Sequence, residues 1–109
     1  MATRTVNKLV RDKIPSFIME NGEMPNFRIL DDDEFLEALN EKLLEEVAEY
    51  QESGDLDELA DILQVICSIA EILGGGFREL EYLKDEKAVE RGGFRSRLFL
   101  ESIDDMKRS

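Results

Sequence analysis

The sequence has no histidine and no tryptophan, and only one cysteine and two prolines in 109 residues. Without histidine there is no Ser-His or Cys-His nucleophile pair and no imidazole metal site. Cys67, the single cysteine, forms no internal disulfide, so a reducing cytoplasm is the simple expectation. It sits in an apolar run and reads as a small buried hydrophobe. No apolar run approaches the ~18 residues of a membrane span. Met1 to Arg11 carries no apolar segment of the kind a secretory signal needs. Bases are scarce: Lys and Arg number 14 against 26 acids, a net charge of −12. That balance argues against a nucleic-acid polymer or an anionic membrane as partner, since both call for a basic face. Any metal must be held by carboxylates, which favours Mg²⁺ or Mn²⁺.

Apolar residues make up 42 % and charged residues 37 % of the chain, an ordinary globular fraction with a highly charged surface. The length predicts one domain over residues 1–109 with a small core. The charge is uneven. Ile29 to Phe77 holds fifteen acids and one base, Lys42, while the flanks together carry eleven acids and thirteen bases. Most of these acids read as solvated helix surface. The alternative is a carboxylate metal site with cations folded round it.

Periodicity predicts an all-α chain. A short helix is expected from Pro15 to Glu20, because proline suits a first turn and Asn21-Gly22 closes it. Asp31, Asp32 and Asp33 offer an N-cap and favourable first-turn charge. Phe35, Leu36, Leu39, Leu43, Val47 and Tyr50 then predict a helix over about 33–52. Ser53-Gly54 ends it, Asp55 caps the next helix over 56–73, and Gly74-Gly75-Gly76 stops that one. So short a connection implies an antiparallel hairpin. From Ile62 to Leu73 only Gln64, Ser68 and Glu71 are polar, so this helix should be central, with part of its cover from a second subunit. A last helix is expected over 77–91. Phe27–Leu30 and Phe94–Glu101 alternate as short strands do, and the two are candidates to pair. The tail Asp104–Ser109 is expected to fray.

The chemistry concentrates on the hairpin. Glu46 and Glu49 are three apart on one helix, and Glu58 and Asp61 are three apart on the next. Residues at i and i+3 share a helix face. An antiparallel hairpin can set the pairs opposite one another, and four ionised carboxylates in a small volume need a counter-charge. Each pair alone is everyday helix surface. The context favours more here: Asp61 lies between Ala60 and Ile62, where the helix becomes most apolar and an unpaired carboxylate is costly. Tyr50, Phe77, Tyr82 and Phe94 can stack a base but read first as core.

The segment "EKLLEEVAEYQESGDLDELADILQVI" resembles the signature of the all-α, MazG-like nucleoside-triphosphate pyrophosphohydrolases. Their relatives include the dimeric dUTPases and the phosphoribosyl-ATP pyrophosphohydrolases. The signature, Glu-Glu-x-x-Glu and then Glu-x-x-Asp, is represented by Glu45, Glu46, Glu49, Glu58 and Asp61. The outer segments "NKLVRDKIP" and "ERGGF" resemble a small single-domain branch, so the likeness runs over about Val6 to Glu101.

The resemblance implies a four-helix-bundle-like, oligomeric MazG-type fold. It implies Mg²⁺-dependent cleavage of a nucleoside triphosphate, or of phosphoribosyl-ATP, to the monophosphate and pyrophosphate, as in nucleotide-pool house-cleaning. Glu46, Glu49, Glu58 and Asp61 would be the metal ligands. Glu45, about 100° round the helix, would orient water or sit at the surface. Lys87 and Arg91 would neutralise phosphates or form a solvated helix end. Asp85 stands where the family's basic group has an asparagine. Lys8, Arg11 and Lys13 are further phosphate candidates, with Arg95 and Arg97 weaker ones. Two other readings compete: a helical homo-oligomer with a scaffolding or regulatory role, and a non-catalytic cation binder. The chain has no Asp-x-Asp-x-Asp-Gly loop of the EF-hand type.

Overall fold

The computed structural model describes residues 2–105. Among these residues four helices follow one another: α1 (Ile14–Glu20), α2 (Asp32–Ser53), α3 (Leu56–Ile72) and α4 (Gly76–Arg91). The chain is all-α, as its periodicity predicts, and the described residues contain no strand. The expected pairing of Phe27–Leu30 with Phe94–Glu101 is therefore corrected. Arg97 donates its N–H to the Phe94 carbonyl at 3.1 Å and has φ +58°. That tight turn breaks the second run where the alternation asks for extended backbone. Residues 106–109 of the tail expected to fray lie outside the described residues.

The start of α2 is fixed by charge and hydrogen bonding. The Asp31 side chain accepts the Glu34 N–H at 2.9 Å, and the Glu34 carboxylate reaches back to the Asp31 N–H, a capping box. Arg28 clamps the same Glu34 carboxylate with both terminal nitrogens, at 3.1 and 2.8 Å. Asp31→Ala should lower stability by about 1 kcal/mol, measured by chemical denaturation. α2 ends at Gly54, whose φ of +68° is the left-handed geometry that a Cβ disfavours. Asp55 precedes α3 without a side-chain capping bond; its N–H is instead taken by Ser53 Oγ at 3.1 Å.

This short turn folds α3 back on α2, and α4 leaves α3 at a bend of 105°. Among the described residues α2 packs on α3 and α3 on α4, and no other helices touch. The described chain is thus an open hairpin with an arm, and its four helices do not close into a bundle. Its radius of gyration is 20.3 Å, against about 13 Å for a compact chain of this length. Its accessible surface is 10459 Å², roughly 4,000 Å² more than a compact monomer of this mass exposes. Among the described residues only Leu39 and Val65 are buried apolar side chains.

α3 is the central helix of the described chain, and it carries two apolar seams. Ile62, Val65, Ile69 and Ile72 form one, buried or half-buried. Leu56, Leu59, Leu63, Ile66, Ala70 and Leu73 recur at alternating steps of three and four on another face. Along this second seam Leu56, Leu59, Leu63 and Leu73 are 81, 40, 49 and 70 % exposed. Among the described residues no single helix is long and apolar enough to cross a membrane.

Candidate metal centre

The hairpin sets the carboxylates of α2 opposite those of α3. Glu46, Glu58 and Asp61 each bring one oxygen to a cluster in which all three lie within 4.8 Å of one another. Glu46 is 7 % exposed, while Glu58 and Asp61 are half-buried. Its Oε1 lies 3.4 Å from Lys42 Nζ, but its Oε2 is buried with no hydrogen-bond partner. A buried, unpartnered carboxylate oxygen is costly. Hard divalent cations take ligands of this kind, so the donor set fits Mg²⁺ or Mn²⁺.

Glu49 is not one of the gathered residues; it is exposed, with its carboxyl beside that of Glu46. Burial first, and the adjoining Glu49 second, push the Glu46 carboxyl above its ordinary range, against the opposing pull of Lys42. Glu58 is also raised, by desolvation and then by the nearby charges of Asp61 and Glu46. The cluster resists full ionisation without a cation.

Cations from two parts of the chain surround it. Arg11 donates to Asp61 Oδ1 at 2.7 Å, and Lys8 donates to Glu45 Oε1 at 3.0 Å. The Lys8 hydrogen bond holds the Glu45 carboxyl below its usual value. The segment before α1 is therefore tied to both helices of the hairpin by two ion pairs. Lys42, three and four residues before Glu45 and Glu46, lies 3.7 and 3.4 Å from them. Lys42 thus joins the site residues, and its spacing of three and four from Glu45 and Glu46 is the signal in the sequence for it. Lys13 sits exposed at the N-cap of α1, with no ion pair among the described residues.

Lys87 and Arg91 lie away from the cluster. Lys87 lies about 16 Å along α4 from the bend, and α4 does not touch α2. Neither residue makes an ion pair among the described residues, and Asp85 is held by Lys84 at 2.7 Å. Arg91, Phe94, Arg95 and Arg97 line an open concavity of about 660 Å³ at the end of α4. Phe94 is 97 % exposed and not core. Phe77 and Tyr82 are exposed as well, Tyr82 donating to Glu86 at 3.0 Å, and Tyr50 is half-buried. Cys67 is a free thiol, half-buried on α3.

No family model matches the chain, and no solved structure matches it significantly. It is similar to an uncharacterized protein of Mycolicibacterium smegmatis, with 48 % identity over 50 residues. That match spans 46 % of this chain and 51 % of the other, about half of each.

Proposed function

We propose that the chain is a MazG-like nucleoside-triphosphate pyrophosphohydrolase, dependent on Mg²⁺ and assembled as a homo-oligomer in the cytoplasm. The observation that carries this reading is the convergence of Glu46, Glu58 and Asp61 around an unpartnered buried carboxylate oxygen. Mg²⁺, if held there, would supply charge neutralisation at the phosphate oxygens and lower the pKa of water. Glu46, Glu58 and Asp61 would hold the ion, and Glu49, beside Glu46, would join them or accept a proton from the attacking water. Lys8 and Arg11 stand at the rim of the same site. Water attacks phosphorus, the α–β anhydride bond breaks, and the monophosphate and pyrophosphate leave. No covalent nucleophile is required.

The exposed seam of α3 and the excess surface support assembly with a second copy, a dimer being the smallest unit. Lys87 and Arg91, remote from the carboxylates of their own copy, then serve phosphates bound over those of the other. Arg91→Ala should lower kcat/KM by one to two orders of magnitude, on the order of what losing a charge-assisted hydrogen bond costs. Metal affinity should stay unchanged. Unchanged steady-state kinetics would remove α4 from the site.

The reading is tested by incubating the protein with a panel of nucleotides, phosphoribosyl-ATP included, with Mg²⁺ and with chelator. Pyrophosphate release that needs the metal supports it. A chain inert toward the whole panel would leave a cation binder or a scaffold in its place.

A further inference from the structure

Asp61 is at once a member of the carboxylate cluster and the partner of Arg11, a residue 50 positions away in an irregular segment. The guanidinium and a cation need the same carboxylate. Both are positively charged, and the Asp61 oxygen bonded to Arg11 at 2.7 Å is on the group a metal must take. The Arg11 side chain is 57 % exposed, so no packing fixes it there. Lys8, on the same segment, is tied to Glu45, which is outside the triplet, and is not displaced by a cation there.

We propose that Arg11 is a place-holding counter-ion. In the metal-free chain it neutralises Asp61; a divalent cation that ligates Asp61 displaces it, and the freed guanidinium turns to the phosphate oxygens that arrive with the nucleotide. Lys8–Glu45 keeps the segment tethered, so Arg11 moves by side-chain rotation and remains within reach of the site. This inference rests on the proposed carboxylate site and adds a competition to it. One residue then has opposite effects on two ligands: it weakens the binding of free metal and strengthens that of the nucleotide.

The experiment is a calorimetric titration of the whole protein with Mn²⁺ alone, for the wild type, Arg11→Ala, Arg11→Lys and Lys8→Ala. An exposed ion pair is worth little, so Arg11→Ala should tighten Mn²⁺ by about two- to fivefold. The gain should shrink as added salt screens the pair. Arg11→Lys, which keeps the charge, should stay near wild type, and Lys8→Ala should change Mn²⁺ affinity less than Arg11→Ala. For nucleotide with Mg²⁺ the sign reverses, with kcat/KM of Arg11→Ala falling about tenfold or more. Circular dichroism checks that each variant keeps its helices. Mn²⁺ binding that is unchanged or weaker in Arg11→Ala overturns the proposal while leaving the carboxylate site standing. A wild-type chain that binds no Mn²⁺ overturns both.

Discussion

Asp61→Asn should abolish Mg²⁺-dependent turnover, with a loss well beyond the ~10–100-fold that changes in a metal's outer shell cost. Asp61 supplies one of the three gathered oxygens, and an amide oxygen carries no charge to hold a hard cation. Glu46→Gln should do the same. Neither change should unfold the metal-free protein: Asp61→Asn gives up only the largely exposed ion pair with Arg11. Glu46 has a carboxyl raised by burial and then by the adjoining Glu49, and Glu58 one raised by burial and then by the charges of Asp61 and Glu46. A carboxyl raised in this way costs stability once ionised. The cost is present above its folded pKa and disappears as pH falls through that value toward the ordinary carboxylate range. At neutral pH the cost of Glu46 is therefore in force, and the neutral Glu46→Gln should match or exceed the wild type in thermal stability without metal. Below the ordinary carboxylate range the two proteins should converge. Glu49→Gln tests the exposed neighbour: loss of turnover makes Glu49 a working member of the site, and near-normal turnover leaves the triplet sufficient. Near-normal activity of Asp61→Asn would refute the ligand assignment.

The second large effect concerns assembly. Ile66 lies on the exposed seam of α3 and Ile69 on the inward one. Ile66→Asp should separate the copies, and Ile69→Asp should damage the fold itself. An unpaired charge in an apolar contact costs about 3–5 kcal/mol, enough to raise a dimer dissociation constant by two orders of magnitude or more. Leu63→Glu is the cleaner variant. Leu63 is already 49 % exposed in the single copy, so a charge there has little to disturb unless a second copy covers it. Sedimentation should show a wild-type oligomer at micromolar concentration and a helical monomer for Leu63→Glu. A wild-type monomer would sink the oligomer proposal. The area makes the expectation strong: hiding even half of the roughly 4,000 Å² surplus on each copy gives an interface of the obligate class, which begins near 2,000 Å² in total.

Helix positions were legible from the sequence because their determinants are local. Asp31, Gly54 and the glycines after Leu73 act within one turn of where they stand, and no helix bound differs from expectation by more than one residue. The extended reading of Phe94–Glu101 failed because alternation implies a strand only when a partner takes its backbone hydrogen bonds, and here a turn closes instead. The convergence of Glu46 with Glu58 and Asp61 follows from i, i+3 spacing and an antiparallel turn, which the sequence carries. The position of Glu49 outside the triplet depends on side-chain direction, which spacing alone does not fix. The pairing of Arg11 with Asp61 is a contact across 50 residues, and no local pattern announces it.

Which phosphoanhydride bond breaks decides the function. ³¹P NMR of the products from an accepted nucleoside triphosphate with Mg²⁺ reads it directly. Monophosphate and pyrophosphate in equal amounts, absent when the metal is chelated and absent for Asp61→Asn, are the predicted result. Orthophosphate with the diphosphate, or turnover that persists in chelator, would contradict it.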